Sequence, residues 1–512
     1  MHYPFIVSVF LVALRALAGP SDPPRPGAVL EQPVVLVYVD FPDGRLPDGG
    51  LPTRDVDTAF VKNIDAVGSM GYTRAGRSGP FRKMIRKYTY DDYWNLFFSS
   101  HNYVGKGVHP DYATHNWYTP PEPSVGWDGQ AYNLTVYGSV RDYWEEASDG
   151  HLEIRPAQTH PGGTDMYHTG IINNIDSVHG KKCIRWISLP QAKTFYMSFG
   201  KPMSSPVLSD VEQTLIALHK LPTSDSNHIE FDYSSYRGKV GVITAGGLLG
   251  GWAQLGGKLF IVAEKMLYNT NANSSCIFDG ITGPAHELGH TMGFPHLAVG
   301  SYDIMHWGGF NDRRYYFCPP HINPWTKLQR GWIRDSNITR ISSSGEYSLE
   351  PITSKNPQVA VVVIRGEVGK NGNWKSGEYF LVEYRKREKF NRFAGGPDVP
   401  AGFHGGALIW HYSQYGTCAA WFTEKDRAES GLDFHLALVV AEYGSKYKSN
   451  VGSPSDLYYL GHAVVDSSTV PGTDSRGNEV TGIALSNFNF RGSKLVFDVR
   501  YNRGSPLPPH KQ

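Results

Sequence analysis

The residues with the most chemistry per position lie in one stretch, His286-Glu-Leu-Gly-His290-Thr-Met-Gly293-Phe-Pro-His296. Its pattern is HExxHxxGxxH. If the first half is helical, His286 and His290 are one turn apart and project from one face, so both imidazoles can hold a single Zn²⁺. Glu287 then sits beside them, placed to take a proton from a water at the metal. Gly293 is free to adopt a positive φ, which lets the chain turn and bring His296 back as a third ligand. Three protein ligands leave a fourth position open, which is the arrangement of a catalytic zinc rather than a structural one. Downstream, Tyr302-Asp-Ile-Met305 supplies a methionine where a turn could run beneath the metal. Asp303, the one carboxylate between His296 and Met305, competes as a ligand but is expected to brace that turn.

These residues need elements to position them. Val34–Phe41 (VVLVYVDF) is a β-branched apolar run and is expected to be a buried strand. Ser139-Val-Arg-Asp142 reads as a capping-box variant opening a helix that ends at Gly150, with a strand at Leu152–Arg155. Ser209-Asp-Val-Glu212 reads as a second capping box, ahead of an apolar stripe at Val211, Leu215 and Leu218. Further strands are expected at Lys239–Thr244 and within Trp252–Val262, the latter as a pair or an edge. The segment near Trp252–Leu255, just upstream of the motif, is expected to offer an edge to an extended substrate. Beyond Trp332, strand-like runs recur at Glu346–Leu349, Val359–Ile364, Tyr379–Tyr384, Ala407–Tyr412, Leu436–Ala441 and Leu495–Val499 with no long helix between them. That texture is expected of an all-β unit, with its boundary near Asp335–Asn337, built as a sandwich.

The zinc pattern followed by a methionine turn resembles the metzincin metalloproteases. Within that clan the chain resembles the immune inhibitor A-like peptidase family. The stretches carrying this likeness are Val34–Asp43, Ser139–Leu152, Asp303–Met305, Pro324–Trp332 (PWTKLQRGW), Glu378–Arg385 (EYFLVEYR) and Ala407–His411 (ALIWH), in the family's order. The resemblance implies an α+β metzincin-like catalytic domain, a mixed sheet plus active-site helix, followed by an all-β, sandwich-like C-terminal domain. It implies a secreted zinc endopeptidase with Zn²⁺ on His286, His290 and His296 and Glu287 as general base. Calcium ions are also common in that family, with no ligand set readable here. Two departures stand out. Relatives often carry Asp where this chain has His296, and Trp307 stands where some metzincins place a tyrosine after the methionine.

Composition sets the outer limits. Lys and Arg total 49 and Asp and Glu 48 in 512 residues, a net charge of +1, which argues against a nucleic-acid binder. Residues 1–18 carry a short apolar run and an Ala16-Leu17-Ala18 site, expected of a secretory signal peptide. Residues 19–32 read as a linker or short pro-segment, 33–335 as the catalytic unit, 336–504 as the β-rich unit and 505–512 as a tail. No segment is long enough for stable membrane insertion. Cys183, Cys276, Cys318 and Cys418 suggest two disulfides, with three pairings open, and no cysteine precedes Cys183 to act as a latency switch. Sequons at Asn133, Asn273 and Asn337 mark expected surface positions. His101, His109 and His115 read as a solvated loop, His404 and His411 as structural, and Asp40, Asp43 and Asp48 as turn formers or, alternatively, calcium ligands. The expected partner is a protein or peptide substrate; oligomeric state is not legible. A binding or adhesion protein on a protease scaffold is the competing reading, and the intact Glu287 weighs against it.

Overall fold

A computed structural model describes residues 29–40, 94, 96–99, 138–157, 175–178, 181–184, 187–191, 195–196, 204–225, 227–244, 251–263, 268–270, 276–278, 281–296, 302–305, 319–391, 404–414, 436–439, 457–458 and 481–502. Within them the chain is mixed α/β, with several sheets and few helices.

The N-terminal half is organised by β1 (Leu30–Asp40), whose first three residues fall in the stretch read as a linker. It lies between β2 (Leu152–Pro156) and β4 (Lys239–Thr244), and β3 (Ile187–Ser188) continues the β2 side; all three pair with it in parallel. β6 (Leu259–Ala263) extends the sheet in parallel beyond β4, and β5 (Trp252–Ala253) closes that side as an antiparallel edge. Parallel strands are covered on both faces, which is why β1 reads as a continuous apolar run. Val35, Val37 and Val39 join Val240, Val242 and Ile261 in one cluster with Val207, Val211 and Leu215 of α2 (Ser204–His219). The alternate residues Leu36, Tyr38, Ile243 and Phe260 are equally buried. By the two-residue period of a strand they face the other side. There lie α1 (Val140–Ala147) and α3 (Thr282–Thr291), which pack on each other and, through α3, on β4, β5 and β6. α1 opens on the expected box: Ser139 Oγ accepts from Asp142 N at 3.1 Å and Asp142 Oδ2 accepts from Ser139 N at 3.0 Å. α2 differs from expectation. It begins at Ser204, so Ser209 lies inside the helix, where its Oγ accepts from Gln213 Nε2 at 3.2 Å instead of capping the end.

Beyond the short helix α4 (Pro324–Gln329) the described residues form strands, turns and three single-turn 3-10 helices. β7 (Ile338–Ile341), β9 (Val359–Arg365), β10 (Glu378–Lys386), β11 (Gly405–Ser413) and β12 (Leu436–Val439) form a five-stranded sheet; β8 (Gly345–Leu349), β13 (Ile483–Arg491) and β14 (Lys494–Tyr501) form a three-stranded one. One face of the larger sheet shares an apolar cluster with the smaller, from Val362, Phe380 and Ile409 to Leu485, Phe488 and Phe497. The opposite face buries Val361, Leu381, Leu408 and Trp410 against Tyr302, Leu328 and Ile333, residues that precede the expected boundary. β7 and β13 escaped the sequence reading, and residues 440 and 441 of the run expected at Leu436–Ala441 lie outside the described residues. β13 is interrupted by polar residues and a register shift around Asn487, whose φ is +55°.

Two more antiparallel pairs, Ile175–Val178 with Lys181–Ile184 and Tyr268–Thr270 with Cys276–Phe278, complete the described strands. No described helix is long and apolar enough to cross a membrane. Asn337 departs from its expected surface position: it is buried, and its Nδ2 has no hydrogen-bond partner. Asn133, Asn273, Trp307, Asp43, Asp48, the histidines 101, 109 and 115, and the side chains of Asp40 and all four cysteines lie outside the described residues.

Candidate metal centre

α3 carries the first half of the motif, and all ten of its residues are buried. No side chain caps its N-terminus, but its C-terminus is held from three directions. The main-chain N–H of Gly256 donates to His290 O at 2.8 Å, Lys239 Nζ to Thr291 O at 2.6 Å, and Arg330 Nη2 to Met292 O at 2.9 Å. Cations at a helix C-terminus also oppose its negative dipole end. The helix stops at Gly293, whose φ of +88° is left-handed, and Phe294 N returns to Gly289 O at 3.1 Å. Phe294 then stacks on Trp144 of α1, ring centroids 5.6 Å apart, with the Arg330 guanidinium 4.5 Å above it. This fixes the direction in which the chain leaves and sends His296 back over the helix.

The result is a triangle of nitrogens. His290 Nε2 lies 3.0 Å from both His286 Nε2 and His296 Nε2, and the remaining side is 3.1 Å. Tetrahedral ligands about 2.0–2.1 Å from one ion stand roughly 3.3–3.4 Å apart, so the three atoms need to spread by only a few tenths of an ångström to hold zinc. Two of the other ring nitrogens are occupied as a metal site requires. His286 Nδ1 lies 2.6 Å from Ile304 O, and His290 Nδ1 lies 2.7 Å from Phe294 O. A carbonyl only accepts, so each Nδ1 carries the hydrogen and each Nε2 offers its lone pair to the centre. Burial lowers the pKa of His290, with the Phe294 carbonyl opposing, which also favours the neutral, ligating ring. The three histidines are the one group of this kind among the described residues.

Glu287 does not join the triangle. It is buried and makes no hydrogen bond through Oε2. It packs on Gly251, the residue before β5: a Cβ there would stand 2.1 Å from Glu287 Oε1. Burial pushes its pKa up to about 8 in the metal-free chain. A divalent cation held by the adjacent histidines would draw it back towards the carboxylate. The carboxylate thus lies between α3 and the open edge formed by β5, where Trp252 is exposed.

Asp303 braces the turn, as expected from the sequence. Its Oδ1 accepts from Met305 N at 2.6 Å; its Oδ2 accepts from Asn323 N at 2.7 Å and from Asn323 Nδ2. Desolvation pushes its pKa up, against those hydrogen bonds. Met305 is fully buried beneath α3, and a Cβ on Gly289 would meet its Sδ at 2.7 Å. His404 is exposed, and His411 is buried against Glu378 at 2.9 Å, both away from the triangle.

The sequence reading missed the residues that hold the centre from outside: Gly251, Lys239, Arg330 and Asn323. Only Asn323 had a local signal, an N-cap followed by Pro324 at the first helical position, with its Oδ1 accepting from Thr326 N at 2.8 Å. No protein-family model matches the chain, and no curated protein matches it.

Proposed function

We propose that the chain is a secreted zinc-dependent endopeptidase, with a metzincin-like catalytic unit followed by a β-sandwich-like unit. The observation that carries the reading is the triangle of three Nε2 atoms, two of them with Nδ1 anchored on backbone carbonyls, beside a buried glutamate with an unpaired oxygen. Zinc on His286, His290 and His296 supplies a Lewis acid that polarises the scissile carbonyl and acidifies water. Glu287 takes the proton of the attacking water and delivers it to the leaving amine. Its apolar surroundings leave it few competing partners for that proton. β5, the edge of this sheet among the described residues, offers its free side to the substrate backbone, which would lie extended past Glu287. Trp252, on that edge, is placed to contact a substrate side chain. Met305 and Asp303 hold the floor beneath α3 and touch no substrate. The apolar run and Ala-Leu-Ala site in residues 1–18 support export, and the four cysteines suit an oxidising compartment.

The test is metal content and cleavage measured together. Purified chain should bind about one zinc and cut an unstructured protein such as casein. A chelator should stop the cutting, and added zinc should restore it. Glu287→Gln should keep the metal and lose about 10²–10⁴-fold in turnover. Zinc bound with no cleavage of any protein would instead support a binding protein built on this scaffold. No zinc bound at all would end the proposal.

A further inference from the structure

We infer that Arg385, on the C-terminal sheet, is a positioning residue for the metal ligand His286. The inference rests on the zinc reading above. It starts from a continuous set of hydrogen bonds. Arg385 is fully buried on β10, and its guanidinium is fixed there by Glu383, 2.8 Å away, which also accepts from Trp410 Nε1 at 2.8 Å. Nε has no hydrogen-bond partner, and the other donors of the fork point off the sheet. Nη1 donates to His321 O at 3.3 Å and to Asn391 Oδ1 at 3.2 Å, and Nη2 donates to Ile322 O at 3.5 Å. The clamped carbonyls belong to the two residues before Asn323. Asn323 in turn donates its main-chain N–H and its Nδ2 to Asp303, whose other oxygen holds Met305 N. Between Asp303 and Met305 lies Ile304, whose carbonyl accepts from His286 Nδ1 at 2.6 Å.

Each step passes through a buried polar group with a defined partner. A shift of the 321–323 segment therefore displaces Asp303, tilts the Ile304 carbonyl and turns the His286 ring. The same segment reaches α1. Burial and the neighbouring cations keep His321 neutral, so its Nδ1 accepts from Lys327 Nζ at 3.1 Å and its Nε2–H donates to Glu146 at 2.6 Å. Only a planar fork with several donors can serve Glu383, Asn391 and two carbonyls at once; a lysine ammonium at this site reaches fewer of them. The β-rich unit is on this view part of the metal centre, and not an attached module.

The experiment compares Arg385→Lys, and Arg385→Met combined with Glu383→Gln, with Asp303→Asn at the far end of the relay. The full chain is used, and zinc dissociation constants are read by chelator competition. Visible spectra of the Co²⁺-substituted chain report ligand geometry. Arg365→Lys is the control: Arg365 is also buried and pairs with Glu378 at 3.3 Å in the same sheet, outside the relay described above. The Arg385 variants should fold, bind zinc about 10–100-fold more weakly, and shift the Co²⁺ bands as Asp303→Asn does. Combining an Arg385 variant with Asp303→Asn should cost less than the product of the two effects. Arg365→Lys should lower thermal stability and leave both metal readouts unchanged. A folded Arg385 variant with wild-type zinc affinity and spectrum overturns the inference. So does an equal metal defect in Arg365→Lys, or failure of both Arg385 variants to fold, since Arg385 would then serve the fold alone. If the wild-type chain binds no zinc, it is the proposed function that fails.

Discussion

His296 and Gly251 carry the clearest consequences at the residue scale. His296 comes from outside the helix, and its Nε2 completes the triangle at 3.0 and 3.1 Å from the other two. Two imidazoles alone hold zinc weakly, so His296→Ala should lose most of its zinc at neutral pH together with its activity; metal analysis after gel filtration checks this. Full zinc occupancy in that variant would point instead to a two-histidine-plus-carboxylate site. Gly251 acts by what it lacks. A Cβ would stand 2.1 Å from Glu287 Oε1, so the carboxylate must move or the edge must open. Gly251→Ala should keep zinc and lower turnover at least tenfold, read by peptide cleavage beside metal content. Turnover equal to wild type would show that Glu287 does not work from this position.

At the scale of elements, the turn out of α3 and the turn out of α1 behave differently. Gly293 has a φ of +88°, and a Cβ there would also meet Arg330 Nη2 at 3.3 Å. Gly293→Ala should therefore cost roughly 1–2 kcal/mol in left-handed backbone alone. It should also weaken zinc, because the exit direction of the chain sets where His296 arrives. Calorimetry with and without chelator separates the two effects. After α1, Asp149 has a φ of +53°, and burial lifts its pKa from 3.8 to about 6 against the pull of Lys327, Arg334 and Lys389. Between those two values the folded chain holds a proton that the unfolded chain has released. Stabilisation from this group is complete below pH 3.8 and is lost as pH rises through 6. Asparagine does not ionise and tolerates the same backbone. Asp149→Asn should match wild type near pH 4 and exceed it at pH 7 by on the order of 1 kcal/mol, a figure already reduced for solvent screening. Denaturant unfolding at the two pH values checks the sign; a gain at pH 4 that vanishes at pH 7 would reverse the assignment.

Across the whole molecule, the two halves share an interior. Tyr302, Leu328 and Ile333 pack with Val361, Tyr379 and Trp410, and Tyr143 of α1 meets Phe390 edge-on with ring centroids 5.2 Å apart. Tyr143 Oη donates to Pro320 O at 2.8 Å, and Lys327, its pKa brought down to about 8 by burial, lies among Glu146, Glu383 and Arg385. Such an interface does not open without exposing apolar surface and unpaired charge together. Thermal unfolding should accordingly be one cooperative transition, with fluorescence and far-ultraviolet dichroism changing together. Two separated transitions would show that the halves are independent.

The sequence by itself determined the histidine triangle, because its geometry is local. Spacing of four on a helix puts His286 and His290 on one face, and a glycine three residues later permits the return of His296. The capping box at Ser139 and the apolar run of β1 were legible for the same reason: short-range hydrogen bonding and a two-residue period leave direct marks in the residue order. The role of Asp303 was also readable, since its partner Met305 is two residues away. The tertiary structure alone decided the rest. Nothing in the sequence marks Arg385, Lys239 and Arg330 for this role, yet they are drawn inward to backbone carbonyls that only packing brings within reach. Asn337 reads as an exposed sequon and is buried where β7 begins. Gly251 carries no mark until β5 and α3 are side by side. A charged or small residue acquires its meaning from its neighbours in space, and for these residues those neighbours lie tens of positions away along the chain.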